Sequence, residues 1–397
     1  MNYSFLLIFI IFLISFEIFL IVLVNYFKKD FKWLLNSKDE KPKFNKNRLK
    51  KFYKNTFDSK LGWDRKKNFH GYENSSKKTF FYISKKGNRG ISKFKSTKIS
   101  VFGDSFAFCR YVNDNKTWQS FVEKKIKSNV KNFGVGNYGL DQSYLKYLKY
   151  KKKLKNQIII FNFVPETIAR INSYWKHYRE FGNIYGFKPI LEIQGRKAKI
   201  LKIKIKKNYT EKQIYNQLNY IKKKDIFYKL KFKENIFKFP YSLTYFKSIS
   251  FFSGVFLYLI ANKLKKNKKF FNNAISMYFK KNIYESHDMY KKEKLSKKLE
   301  KLILFMNNEF SKKNIRMILI ITPQLLDLQS SMLKNYLEFY ENLSKQIFCL
   351  DLTKNFINNK NYRKYYLSDI YGGHLNEKGN KFISSIIYKF LKNKKLL

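Results

Sequence analysis

Residues 97–105 read Thr-Lys-Ile-Ser-Val-Phe-Gly-Asp-Ser: a β-branched and aromatic run, KISVF at 98–102, passes directly into Gly103-Asp104-Ser105. A short apolar run closed by glycine and two small polar residues is the pattern of a buried strand feeding a tight turn. Such a turn presents a serine hydroxyl above the end of a sheet, and it equally suits a helix cap made by Asp104 or Ser105. Four further strand-like runs follow, at 130–133 (VKNF), 157–163 (QIIIFNF), 316–322 (RMILIIT) and 346–350 (QIFCL). Helical patterns lie between and after them, at 118–127, 142–153, 294–312 and 380–391, with Gly379 marking the start of the last. This alternation predicts an α/β fold: a parallel sheet with helices on both faces, a three-layer αβα (flavodoxin-like) arrangement that binds ligands beyond the strands' carboxyl ends.

The third and fourth runs are separated by roughly 150 residues, far more than one crossover needs. The expected organisation is therefore an anchor at 1–30, a lead-in at 31–95, a core in two parts at 96–175 and 300–397, and an insertion or lid at 176–299. Within the insertion, residues 185–206 carry a hairpin pattern around Gln194-Gly195, and the rest reads as Lys-rich helices.

The anchor is the stretch 5–24, FLLIFIIFLISFEIFLIVLV, which carries one charge, Glu17. About 20 apolar residues at 1.5 Å each span a hydrocarbon layer of roughly 30 Å. The flanks lack the basic start and small-residue cleavage site of a secretory signal. Lys28, Lys29 and Lys32 follow the span, but lysine is so frequent everywhere that these three say little about orientation. The expected location is a single-pass membrane protein with its main domain outside the cytoplasm. A second apolar stretch at 249–261, ISFFSGVFLYLIA, is too short to span and is expected to be a buried or interfacial helix.

The formal charge of +55 resembles a nucleic-acid signal, yet only nine of the 83 basic residues are arginine and the lysines are spread along the whole chain. Lys, Asn, Ile, Phe and Tyr abound while Pro and Gly are scarce, which fits compositional drift better than selection for a polyanion. No specific nucleic-acid partner is expected. A lysine-driven binder of nucleic acid or anionic lipid stays as a third reading, its mark a complex lost steeply with salt. Two cysteines, Cys109 and Cys349, cannot make a disulfide framework or a four-ligand zinc site, and no cofactor or metal is expected.

Ser105 is the candidate nucleophile, and a serine needs a base. The histidines are His70, His177, His287 and His374. His374 stands in Gly372-Gly373-His374-Leu375-Asn376, in a loop after the fifth run that can return over the strand end holding Ser105. The segment 132–142, NFGVGNYGLDQ, is a glycine-punctuated turn able to aim backbone N–H groups at an oxyanion, and it fits neither a dinucleotide loop nor a P-loop. Cys109 is expected to be a small packing residue.

Together these segments resemble the SGNH, or GDSL-like, hydrolase family, and most nearly its membrane-attached bacterial members associated with surface polysaccharides. The likeness rests on Leu61-Gly62-Trp63, on 101–108 (VFGDSFAF), on 132–142 and on 374–380 (HLNEKGN), and it covers about 57–175 and 300–397. It implies Ser105 as nucleophile and, through its own N–H, oxyanion donor, with His374 as general base. The second oxyanion donor falls at Asn137, where the family usually has glycine. The third-block side-chain donor falls at Asn162 or is absent, because 162–167 reads NFVPET. The family's Asp-x-x-His is also altered: Tyr371 stands three residues before His374, and the nearest upstream carboxylate is Asp369. The resemblance implies a serine esterase acting on acyl groups of a carbohydrate or surface glycan through an acyl-enzyme. Its alternatives are a glycan O-acyltransferase of the same fold and a non-catalytic glycan-binding or assembly factor.

Overall fold

The computed structural model describes residues 3–28, 41–74, 78–154, 157–180, 182–233 and 237–397, so Lys29 and Lys32 lie outside the described residues. The chain opens with helix α1 (Tyr3–Phe27) and then divides into two compact units. One comprises residues 1–49, 173–187 and 209–278, and the other 50–172, 188–208 and 279–397.

The larger unit is built on five parallel strands: β1 (Thr97–Gly103), β2 (Asn129–Asn132), β3 (Ile158–Phe163), β4 (Arg316–Ile321) and β5 (Phe348–Asp351). Their order across the sheet is β5-β4-β3-β1-β2, so the chain reverses direction between β1 and β3. That switch point opens a crevice at the carboxyl ends of the two strands.

Period-two alternation sorts the strand side chains into two layers. On one face Ile99, Val101, Ile158, Ile160, Ile318 and Ile320 pack with α3 (Trp118–Ile126) and α10 (Glu377–Asn393). Helix α10 contributes Ile383, Ile387 and Leu391, an i, i+4, i+8 stripe with no exposed surface; each such side chain stabilises by about 1.5–3 kcal/mol. On the other face Phe102 and Phe161 meet Tyr147 of α4 (Leu140–Tyr150) and Phe310 of α8 (Glu293–Ser311). This is the three-layer arrangement that the strand runs predict.

Several local readings change. Helix α10 begins earlier than Gly379, because Asn376 is its cap and accepts the Gly379 N–H at 2.9 Å. Helix α9 (Leu333–Ser344), between β4 and β5, and the hairpin of Phe69–Asn74 with Lys78–Ile83 were not foreseen. The hairpin around Gly195 forms, as Ile190–Gln194 with Lys197–Leu201, and residues 188–208 and 279–299 fall in the larger unit.

The smaller unit holds α1 and two helices of the insertion, α5 (Tyr241–Phe246) and α6 (Ile249–Lys265), the second formed by the short apolar stretch. Helix α7 (Lys268–Asp288) follows.

Candidate active site

Strand β1 ends at Gly103, where a Cβ would stand 1.8 Å from the Asn162 carbonyl oxygen, so only glycine lets the neighbouring strand approach this closely. Asp104 follows as the cap of α2 (Ser105–Phe108) and accepts the Phe106 N–H at 2.8 Å. The cap is therefore Asp104, which leaves Ser105 as the first helical residue with its hydroxyl free for other work. Asp104 also accepts from the Val164 N–H at 3.0 Å and from Arg170 at 2.9 Å. It is a fixed, buried anchor that ties the turn to the end of β3.

His374 places Nε2 2.9 Å from Ser105 Oγ and Nδ1 2.5 Å from Asp369 Oδ2. With the Nδ1 hydrogen directed at the carboxylate, Nε2 is left to accept from the serine hydroxyl. The five-residue separation closes because Gly372 and Gly373 adopt φ of +110° and +83°, a region that disfavours side chains. Asp369 also accepts the N–H groups of Tyr371 (2.7 Å) and Gly373 (3.2 Å). Burial pushes its carboxyl up, but the imidazole and these hydrogen bonds outweigh that and hold it below the ordinary value. Phe106 stacks on the imidazole at 5.1 Å and Tyr111 meets it edge-on at 5.5 Å, so the ring is gripped on two sides.

The glycine turn after β2 is clamped from several directions. Val135 N–H donates to Gly103 O at 2.9 Å, Trp63 Nε1 to Gly136 O at 3.2 Å, Leu140 N–H to Thr167 Oγ1 at 3.0 Å, and Gln142 Nε2 to Leu61 O at 2.7 Å. The Leu61-Gly62-Trp63 segment thus buttresses the turn. Asn137 has φ of +64°, the left-handed conformation that asparagine tolerates best among residues with a side chain. The backbone N–H groups of Ser105, Gly136 and Asn137 have no acceptor among the described residues.

Asn162 is a correction. Its side-chain nitrogen donates both hydrogens elsewhere, to Ile320 O at 3.1 Å and Thr322 Oγ1 at 2.7 Å, and the residue is fully buried. A side-chain amide has two hydrogens, so none is left for an oxyanion. Asn162 instead bolts β3 to β4.

Among the other histidines, His70 lies on the exposed hairpin and His177 in the smaller unit, where its Nδ1 accepts the Gly182 N–H. His287 forms a second Asp–His–Ser grouping, with Asp327 at 2.7 Å from Nε2 and Ser330 at 2.9 Å from Nδ1. There the serine oxygen also accepts the Met332 N–H at 3.1 Å, so the group knits a loop together. Cys109, four residues after Ser105, is buried with Sγ against Gln119 Oε1, and burial pushes its thiol up to about 12, which leaves it inert beside the serine.

Residues that the sequence reading passed over turn out to hold the site. Arg170 joins Asp104, Tyr138 O and Glu166. Arg89 donates to the carbonyls of Phe108, Cys109 and Val112 and pairs with Asp114, fixing the segment that follows the Ser105 turn. Their partners are mostly backbone oxygens distant in sequence, so the composition of the chain carries no local signal for them.

Neither a family model nor a curated protein matches the chain. Solved structures do, and two of them are a lipolytic protein of the G-D-S-L family from Desulfitobacterium hafniense DCB-2 and a lipase/acylhydrolase from Enterococcus faecalis. The first is 12% identical with a TM-score of 0.35, over 75% of this chain and 100% of that one. The second is 11% identical with a TM-score of 0.34, over 75% and 96%. The first of these carries the G-D-S-L family name. The likeness accompanies the geometry above, which stands on its own distances.

Proposed function

We propose that the chain is a membrane-tethered serine esterase of the SGNH type, acting on acyl groups of a carbohydrate or surface glycan. The observation that carries this reading is the continuous hydrogen-bonded line Ser105–His374–Asp369, at 2.9 and 2.5 Å, at the switch point of a doubly wound sheet. Ser105 Oγ attacks the ester carbonyl while its proton passes to His374 Nε2. Asp369 holds the imidazole in register and stabilises the imidazolium. The oxyanion is met by the N–H groups of Ser105 and Asn137, two donors in place of the family's three, and a missing side-chain donor costs about 3 kcal/mol of transition-state stabilisation. His374 then returns the proton to the leaving sugar hydroxyl, leaving an acyl-serine. Water, deprotonated by the same imidazole, releases the acid and restores the enzyme.

The glycan assignment is supported by the motif resemblance and by α1, a helix of 25 residues with a mean hydropathy of 3.2 over its most apolar window. The test is hydrolysis by the full chain of an activated acetate ester and of acetylated glycans, beside Ser105→Ala and His374→Ala. Release of acetate by wild type and a loss of at least a thousandfold in either variant is expected. Equal rates in all three would end the esterase reading, and acetyl transfer to an added glycan without free acetate would replace it with O-acyl transfer.

A further inference from the structure

Along α1, every residue from Tyr3 to Phe12 is exposed, whereas Leu20, Val24 and Phe27 form a buried i, i+4, i+7 stripe in its second half. What covers that half is the insertion. Glu17, inside the apolar run, accepts the backbone N–H groups of Tyr241 at 2.5 Å and Ser242 at 2.8 Å. Phe16 meets the rings of Tyr245 at 5.3 Å and Phe246 at 5.5 Å. At the other end of the contact, the Lys263 ammonium lies 5.7 Å from the Tyr26 ring centroid.

These contacts fix a depth. Glu17 and Tyr26 are separated by about 14 Å along a helix rising 1.5 Å per residue, close to half of a hydrocarbon core roughly 30 Å thick. Helix α5 therefore stands beside the middle of α1, and the end of α6 beside its carboxyl terminus, where a tyrosine and a lysine suit the headgroup level. The inner side chains of the segment, Phe237, Phe252, Val255, Phe256 and Leu259, are buried in the unit. Its outer face is largely apolar, with Phe239, Leu243, Phe246, Ile249, Leu257 and Leu264 45–79% exposed, and it also carries the exposed Lys238 and Lys247 on either side of α5 and Lys263 and Lys265 at the end of α6. Against water that would be a large apolar patch continuous with the bare side of α1. Against lipid the apolar area is an ordinary surface: the helices satisfy their own backbone, Glu17 already has two donors, and the exposed Lys247 has a long apolar stem that lets its ammonium reach toward the headgroups.

We propose that residues 237–265 form a re-entrant element that dips into one leaflet beside α1 and returns at the level of Tyr26, with lipid acyl chains as the occupant of its outer face. This rests on α1 being a membrane span. The test is spin labelling of the full chain in lipid vesicles, in a Cys109→Ala, Cys349→Ala background, with collision rates measured for oxygen and for a water-soluble nickel chelate. Labels go at Leu243→Cys, Leu257→Cys and Leu264→Cys, with Leu7→Cys as the lipid reference and Lys93→Cys as the aqueous one. The labelled side chains are exposed, so the fold tolerates the label.

The expected oxygen-to-nickel ratio at Leu243 is at least tenfold that at Lys93, falling through Leu257 to Leu264. Ratios at Leu243 and Leu257 matching Lys93, or equal shallow values at all three sites, would overturn the re-entrant element while Leu7 stays lipid-like. An aqueous ratio at Leu7 itself would instead overturn the span on which it rests.

Discussion

Asp369 reaches His374 over a longer loop than Asp-x-x-His, and the extra length is absorbed by two glycines with positive φ. Asp369→Asn keeps the shape and removes the charge, so kcat should fall about 10²- to 10⁴-fold with little change in KM, measured on an activated ester. The same substitution removes a pH-dependent contribution to stability. Asp369 titrates below its ordinary 3.8 in the folded chain, so its contribution is present above that value and is lost as pH falls through the lowered one. The variant's deficit in Tm should therefore shrink as the pH is taken towards 3. Asn162 gives the opposite contrast. Asn162→Ala breaks the bolt between β3 and β4 and should cost about 1–3 kcal/mol in denaturant unfolding, with kcat changed only a few-fold. A hundredfold loss of kcat would return the residue to the oxyanion site.

At the scale of elements, the loop after β4 links the two histidine groupings. Asp327 binds His287 near the end of α7 and also accepts the Gln324 N–H at 2.7 Å. The same loop donates the Leu326 N–H to Gly372 O at 3.1 Å and so grips the turn that carries His374. His287→Leu leaves a buried carboxylate without its partner and should cost about 3–5 kcal/mol. Thermal unfolding checks the magnitude, and a fall in kcat exceeding any rise in KM checks the link to His374. At the end of β5, burial raises the Asp351 carboxyl to about 6, and its Oδ2 has no hydrogen-bond partner among the described residues. A raised carboxylate binds more protons folded than unfolded, so stability falls as pH rises from about 4 to about 6. Asp351→Asn should remove that slope and raise Tm at pH 7.5, read from melting curves across this range.

These elements also show what the sequence makes legible. Strands such as IIIFNF announce themselves because both faces are buried. The hairpin 69–83 hides, because FHGYEN neither alternates nor runs apolar, and α9 hides behind a polar exterior. Ser105, His374 and Asp369 could be picked out because each sits in a short motif at a strand end or loop. Arg89 acts through the distant backbone oxygens of Phe108, Cys109 and Val112, and Arg170 through the carboxylate of Asp104, 66 residues away, so neither leaves a mark in local sequence.

For the whole molecule, the proposed tether would combine two forces of different range. The formal charge of +55 attracts any polyanion, but exposed charges are screened beyond about 8 Å at physiological ionic strength. Helix α1 and the outer face of residues 237–265 would act through apolar area, which salting-out ions strengthen rather than weaken. The two contributions therefore separate in one experiment. Any association of the full chain with added DNA should be weak at about 50 mM salt and leave no measurable complex near physiological salt, whereas a strong complex lost steeply with salt would favour the lysine-driven binder. Co-sedimentation with vesicles should persist through a wash in 1 M salt and yield only to detergent. Release from vesicles by salt alone would mean that lysines, not α1, hold the protein at the bilayer, and would remove the tether from the proposed function while leaving the Ser105–His374–Asp369 geometry to be judged on its own hydrolysis assay.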